Sequence, residues 1–125
     1  MFEDDFVRKE DKEFEIAGRK FSYRPVTAGD EIDWLPEYME KKTKIEDNQT
    51  KTYYEQNLGK INQCKLRNIT KVPYTEETIE EVIGQKKEWK NLTNDEKDIF
   101  FRQLNPEVYS QIIEKINEID KKKVK

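Results

Sequence analysis

The sequence predicts an α+β fold that is mostly α-helical, in which one N-terminal β-hairpin packs on four to five helices. Apolar and polar residues alternate with a period of two only near the N-terminus, on both sides of a glycine-containing turn. Farther along the chain of 125 residues, apolar residues recur at helical spacing between N-cap residues, glycine and proline. We therefore expect a single domain over residues 13–120, a flexible N-terminal arm over 1–12 and a basic tail over 121–125.

The composition limits how much core this domain can build. Hydrophobic residues make up 34% of the chain and charged residues 41%, with a mean hydropathy of -1.12. Globular proteins average about 25% charged residues, so the helices here are expected to carry narrow apolar stripes. Aromatic residues, at 11%, offset part of this shortage because each one buries a large area.

The hairpin is predicted over residues 13–25. Gly18 supplies the permissive backbone for the turn, and Pro25 ends the second strand because it cannot donate a ladder hydrogen bond. The alternating apolar residues of the two strands are Phe14, Ile16, Phe21 and Tyr23. A lone hairpin is marginal in water, so its apolar face must be covered by the helical body predicted over residues 30–120.

The segment after the hairpin reads as the start of that helical body. Thr27 or Asp30 is the candidate N-cap. Pro36 fits the first turn of a helix over residues 35–43, or else it breaks an earlier helix. Residues 41–50 contain almost nothing apolar and are predicted to be a loop.

The clearest helix is predicted over residues 51–71, ending at Pro73. Its proposed apolar stripe consists of Tyr54, Leu58, Ile61, Leu66, Ile69 and Val72. Cys64 lies at the border of this stripe, so we interpret it as a quiet, half-buried thiol rather than a reactive one. The solvated face of this predicted helix carries an excess of Lys and Arg over acidic residues.

Three further helices are predicted from their boundary residues. Thr75 begins one that Gly84 ends, and Thr93 with Glu96 forms a capping box at the start of the next. Pro106 opens the last helix. The stripe of that helix is Val108, Ile112, Ile116 and Ile119; we favour burial of this face, with self-association as the alternative.

The residue inventory excludes most catalytic chemistry. The chain has no His and one Cys, so it lacks imidazole acid–base catalysis, Ser-His-Asp and Cys-His sites, and His- or Cys-rich zinc sites. Its four glycines are too scattered for a phosphate-binding loop. We therefore predict a protein that is not an enzyme and has no cofactor and no metal; a mechanism using two of the abundant carboxylates is the one enzymatic alternative left.

The same inventory bears on location and partners. A single Cys forms no intrachain disulfide, and no apolar run is long enough for a signal peptide or a membrane span. We expect a cytoplasmic protein with no membrane partner. Lys and Arg outnumber acidic residues in 50–73, but with a net charge of -3 overall a nucleic-acid partner is disfavoured.

The opening stretch "EFEIAGRKFSYRPVTAGDEIDWL" resembles the start of tail assembly chaperones of tailed bacteriophages and related prophage tail elements. The resemblance covers the first third of the chain, and the remainder matches only as a series of helices. The matching positions are Phe14, Ile16, Gly18, Arg19, Phe21, Tyr23, Arg24, Pro25 and Thr27.

This resemblance implies a non-enzymatic factor that holds a tail tube or tape-measure protein before polymerisation, in the host cytoplasm or within the virion. It also implies possible homo-oligomers, since some members self-associate. The alternatives are a permanent small component of a tail or baseplate, a nucleic-acid-binding protein, and an inhibitor of a host enzyme.

Under this hypothesis the partner is bound by the hairpin edge and by aromatic residues on the helices. The edge of the 14–24 hairpin is expected to extend a partner's sheet, and the helix faces to receive a partner helix. At least one of the two Trp residues is expected to lie in the core instead. The candidate partner-binding residues are Phe21, Tyr23, Arg24, Trp34, Tyr38, Trp89 and Phe101.

Overall fold

The computed structural model of this protein describes residues 10–122. In that part of the chain, five strands and five α-helices follow one another: β1 (Lys12–Ile16), β2 (Arg19–Tyr23), α1 (Ala28–Tyr38), β3 (Met39–Glu46), β4 (Gln49–Gln56), α2 (Leu58–Leu66), β5 (Ile69–Lys71), α3 (Glu76–Ile83), α4 (Asn94–Arg102) and α5 (Pro106–Lys122). A 3₁₀ turn, Trp89–Asn91, precedes α4. The predicted fold class is confirmed: the fold is α+β, mostly α, with the N-terminal hairpin packed on helices.

The predicted N-terminal hairpin is present and is part of a larger sheet. Strands β1 and β2 pair antiparallel, and β2 also pairs antiparallel with β5, which gives the order β1-β2-β5. Ala17 and Gly18 form the turn with φ of 52° and 79°, the two positive values that match the twist of a tight hairpin. Since β5 supplies a third strand, the prediction of a lone hairpin is wrong.

The core lies between this sheet and the helices. Helix α5 packs along β1, and Ile112 and Ile116 are both 0% exposed, so the expected burial of this helix is confirmed. Aromatic rings fill much of the remaining interior: Phe14 stacks on Phe21 with ring centroids 5.2 Å apart. Edge-to-face contacts among Trp89, Phe100 and Phe101 contribute stability beyond that of the area they bury.

The predicted helix boundaries are mostly confirmed. Thr27, rather than Asp30, is the N-cap of α1, and the two residues form a reciprocal capping box. Thr93 and Glu96 do the same for α4, and Gly84 ends α3 in the left-handed conformation with φ of 80°.

Both expectations for Pro36 are wrong, because this residue lies inside α1, close to its end. The ring removes one backbone donor and clashes with the preceding turn. Here that cost falls where the helix is about to stop, and the chain passes directly from Tyr38 into β3.

The largest correction concerns residues 39–71. The loop predicted over 41–50 and the helix predicted over 51–71 are both wrong: residues 39–56 form a two-stranded ribbon, and only Leu58–Leu66 are helical. Hydrophobic alternation is absent from the ribbon because neither of its faces is buried. The apolar spacing that indicated one helix runs across β4, α2 and β5.

The predicted N-terminal arm and the predicted basic tail each overlap the described residues. The flexible arm was expected over 1–12, but Lys12 already belongs to β1, and residues 1–9 lie outside the described part. Helix α5 continues through the first residues of the predicted basic tail to Lys122, and residues 123–125 lie outside it.

A buried arginine ties three helices together. Arg67, the C-cap of α2, donates two hydrogen bonds of 2.7 Å each to Glu37 of α1. It donates two more to Asp98 of α4, at 3.1 and 2.8 Å. Its side chain is 7% exposed, and paired, fully hydrogen-bonded charges are the arrangement that a buried guanidinium requires.

Candidate functional site

The structure places six of the seven predicted partner-binding side chains in the core. Phe21 and Phe101 are each 1% exposed, Tyr23 is 0%, Tyr38 is 7%, and Trp34 and Trp89 are each 8%. A side chain covered this fully offers a partner no outer surface while the fold persists, and Trp34 and Tyr38 among these six border a cavity. The expectation that at least one Trp belongs to the core is confirmed for both.

The seven residues also do not share one location. Trp89 and Phe101 contact each other with ring centroids 5.5 Å apart, whereas Trp34 and Tyr38 line a cavity elsewhere. Arg24 is half-buried, and its guanidinium donates to Asn68 Oδ1 at 3.0 Å and lies 3.6 Å from Asp30. Sequence reasoning therefore located core aromatic residues, not a common partner surface.

The most exposed structure in the described chain is the β3–β4 ribbon. Eight residue pairs join its strands in register, from Met39 with Gln56 to Glu46 with Gln49. At its tip, Asp47 and Asn48 have φ of 50° and 64°, as a two-residue hairpin turn requires. At its root, Asn57 N donates to the Tyr38 carbonyl oxygen at 2.8 Å. This bond joins the end of α1 to the N-cap of α2, so both strands are attached to helices where the ribbon begins.

One face of the ribbon carries several ion pairs. Side chains alternate across a strand, so Glu40, Lys42, Lys44 and Glu46 project to one side, together with Lys51 across the pair. Lys42 Nζ lies 3.0 Å from Glu40 Oε2. The Glu46 carboxylate lies 2.8 Å from Lys44 Nζ and 3.2 Å from Lys51 Nζ. These exposed pairs neutralise one another, and we call this side the charged face.

The opposite face carries Lys41 and otherwise uncharged residues. It consists of Met39, Lys41, Thr43, Ile45, Thr50, Thr52, Tyr54 and Gln56. Ile45 is 78% exposed and Tyr54 is 64% exposed, which is high for large apolar side chains. We call this side the neutral face; it is a surface of β-branched and aromatic residues that the described chain leaves open to solvent.

The charged face gives a direct test of the ribbon geometry. Hydrogen bonds from the Asn57 amide and then from Lys42 lower the pKa of Glu40 to about 2, with Lys60 also contributing. We expect a carboxyl titration followed by ¹³C NMR to place the Glu40 midpoint near that value. Asn57→Ala removes the first donor, so the midpoint should move up toward the ordinary 4.5. An unchanged midpoint in this variant would contradict the root geometry.

A cavity of about 280 Å³ opens at the root of the ribbon. Trp34, Tyr38 and Ile61 give it apolar walls, while Glu31 and Gln56 are polar members of its lining. Gln56 is the last residue of β4 and is in register with Met39, which packs against the core. The neutral face of the ribbon therefore leads into this cavity.

A partly buried polar cluster also borders the cavity. Asp120 accepts hydrogen bonds from Tyr23 Oη at 2.8 Å and from Val26 N at 3.1 Å. Lys65 Nζ lies 2.6 Å from the same carboxylate and also donates to Asn117. Burial, and then the charge of Asp120, raise the pKa of Tyr23, so this phenol stays protonated and donates throughout the accessible pH range.

The described residues contain neither a metal-binding cluster nor an exposed thiol. No group of acidic or sulfur-bearing side chains in residues 10–122 is arranged to hold a metal ion. Cys64 is 2% exposed, so the prediction of a half-buried thiol is wrong in degree; burial raises the pKa of this thiol, which disfavours the reactive thiolate. Among the helices described, none has the length and apolar character needed to cross a membrane.

Comparisons with protein-family models, with curated proteins and with solved structures found no match to this chain.

Sequence reasoning missed the residues that define the ribbon and the cavity. Sequence patterns predict a loop at Ile45 and a helix stripe at Tyr54, and none of them indicates a cavity lined by Glu31 and Asp120. One signal was present for the ribbon: Thr50, Thr52, Tyr53 and Tyr54 are residue types with high β propensity. Asp47-Asn48 before them is suited to a two-residue turn. The cavity depends on three distant segments and has no comparable local signal.

Proposed function

We propose that this protein is a non-enzymatic factor that binds a partner protein during assembly of a phage or prophage-derived tail. In this proposal it holds a tail tube or tape-measure protein until polymerisation begins, and it acts in the host cytoplasm. The alternative within the same class is a permanent small component of the tail or baseplate.

The observation that carries the binding proposal is the neutral face of the ribbon. Ile45 and Tyr54 lie on the same side of a regular antiparallel pair and are both highly exposed. Contiguous exposed apolar surface marks interaction sites, and the Thr43–Thr52 pair lies between Ile45 and Tyr54 on the same face. The open strand edges add backbone donors and acceptors that an extended partner segment can pair with.

The link to tail assembly depends on the resemblance of residues 13–35. That resemblance implies a hairpin followed by a helix with an acidic start, and the fold contains both elements. The partner surface differs from the one first expected. Binding is assigned to the ribbon rather than to the 14–24 hairpin and the core aromatic residues.

The proposal is tested by affinity purification of the tagged protein from the cells or virus that express it, at moderate salt with nuclease added. We expect a tail tube, tape-measure or baseplate protein to be recovered. Absence of the protein from finished particles then supports the chaperone role, and its presence supports a structural component. Recovery of only a host enzyme, or only of nuclease-sensitive complexes, would contradict the proposal.

Two adjacent tyrosines provide a matched pair of variants for the recovered partner. Tyr54→Lys places a charge on the neutral face, and Tyr53→Lys places the same charge on the charged face. Both positions are exposed, so we expect each variant to keep its stability within about 0.5 kcal/mol.

We expect Tyr54→Lys to weaken partner affinity about 30-fold, which corresponds to a hot-spot loss of about 2 kcal/mol. Tyr53→Lys should change affinity less than about threefold, since the charged face is outside the proposed interface. Equal losses in a direct titration of the two variants would contradict the assignment to the neutral face.

A further inference from the structure

The cavity at the root of the ribbon has the size of a site for one side chain. Its volume is about 280 Å³, whereas pockets for drug-sized ligands and cofactors occupy about 300–1,000 Å³. Its lining combines apolar walls with a few polar groups, as binding pockets do. The charges around it decide which kind of side chain is complementary.

Three charged groups line the cavity, one from each of three helices. Lys65 of α2 and Asp120 of α5 form an ion pair of 2.6 Å, with side chains 14% and 10% exposed. They neutralise each other. The carboxylate of Glu31 on α1 forms no ion pair within residues 10–122, so the cavity keeps one uncompensated negative charge.

That negative charge lies beside two aromatic rings. Glu31, Trp34 and Tyr38 follow one another at helical spacing on one face of α1, and all three line the cavity. Tyr38 Oη lies 3.5 Å from the backbone carbonyl oxygen of Glu31, so the two residues are neighbours, and the Glu31 charge helps to raise the pKa of Tyr38 after the larger effect of burial. Aromatic faces next to a carboxylate attract a cation, and apolar walls favour an aliphatic stem behind it.

A partner segment bound along the ribbon would carry such a cation to the cavity. Gln56 lines the cavity and stands on the neutral face of the ribbon with Tyr54. A partner segment extended along that face would direct every second side chain toward the same side. One of these side chains would reach the cavity between Gln56 and Trp34.

We infer that the cavity binds the cationic end of a lysine or arginine side chain carried by an extended segment of the partner protein. This inference rests on the proposed function, because it requires a protein partner at the neutral face. It adds the chemical identity of the residue that the partner must supply.

The chemistry of the cavity can be tested without the partner by using n-butylammonium chloride and the neutral isostere n-butanol. The readout is the two indole N–H signals in ¹H–¹⁵N NMR spectra. Trp34 lines the cavity, whereas Trp89 donates its indole N–H to the Ile69 carbonyl oxygen at 2.9 Å and serves as an internal control. We expect n-butylammonium to shift the Trp34 signal saturably, with a Kd of roughly 1–10 mM for so small a ligand. The Trp89 signal should stay fixed.

A charge variant separates cation recognition from apolar filling. Glu31→Gln should weaken n-butylammonium binding about tenfold by removing the uncompensated charge. Asp33→Asn, on the same helix but outside the cavity lining, should leave it unchanged. Equal binding of n-butanol and n-butylammonium, or no effect of Glu31→Gln, would overturn the inference.

Two further ligands identify the source of the cation. Acetyl-Thr-Val-Lys-Val-Thr-amide should bind more tightly than its norleucine analogue and more tightly than spermidine. Tighter binding of spermidine would assign the cavity to a free polyamine and overturn the partner side chain. Recovery of a tail protein with sensitivity to Tyr54→Lys but no cation binding would refute this inference alone, whereas cation binding with no recovered partner would count against the proposed function.

Discussion

Arg67→Ala is expected to lower the free energy of unfolding by about 3 kcal/mol, because it leaves two carboxylates without their common partner. Removing one member of a buried ion pair costs about 3–5 kcal/mol. The lower end applies here since Glu37 has a side chain 47% exposed and is able to rehydrate, whereas Asp98 is only 13% exposed. Urea unfolding of the purified protein at pH 7 measures the change.

The pH dependence of this loss identifies its origin. Hydrogen bonds from Arg67 lower the pKa of Glu37 below its ordinary 4.5. A depressed folded-state pKa contributes stability above the unfolded value and loses it as pH falls through the folded value. The difference between wild type and Arg67→Ala should therefore shrink at acidic pH. Arg102→Ala, at an exposed arginine of α4, should cost less than about 0.5 kcal/mol; an equal cost for both variants would rule out a special role for the Arg67 ion pairs.

Trp89→Ala is expected to destabilise the fold by about 3–5 kcal/mol, the usual cost of truncating a buried tryptophan. The indole contacts Phe100 and Phe101 at ring-centroid distances of 5.1 and 5.5 Å. It also donates to the Ile69 carbonyl oxygen in the last strand of the sheet. Its removal leaves both a cavity and an unpaired carbonyl group, and thermal unfolding followed by circular dichroism measures the loss.

This variant also separates a core tryptophan from a partner anchor. Trp89→Phe keeps most of the ring volume but removes the indole donor, so it should cost about 1–3 kcal/mol. Tyr54→Ala, at an exposed aromatic residue, should change stability by less than about 0.5 kcal/mol. If Trp89→Ala unfolds no more easily than Tyr54→Ala, the position of Trp89 in the core is wrong.

The parts of the fold that sequence reasoning predicted are those with a local physical signal. Phe14 and Phe21 alternate with polar residues because one face of β1 and β2 is buried. The helix boundaries at Thr93 and Gly84 are predictable because capping chemistry is confined to a few neighbouring residues.

The ribbon has local β propensity and turn residues but lacks the alternation of apolar and polar residues that marks a half-buried strand. Lys44 and Ile45 point to opposite faces, yet both faces meet water, so the polarity of the strand carries little information about its period. For a related reason, the sequence does not distinguish aromatic residues of the core from aromatic residues that bind a partner. Aromatic residues such as Trp89 and Phe101 suit a core and an interface equally well, and only their three-dimensional neighbours separate the two.

The hydrogen bond between Tyr38 and Asn57 at the ribbon root has a consequence for the order of folding. Pairing Tyr23 with Ile69 requires closing a long loop, and the entropy lost in closing it grows with loop length. A hairpin of sequence-adjacent strands forms within about 1–10 μs and brings the ends of α1 and α2 together, which lowers the effective contact order of the sheet. Pairing of β3 with β4 is therefore a local step that shortens the loop still to be closed between Tyr23 and Ile69.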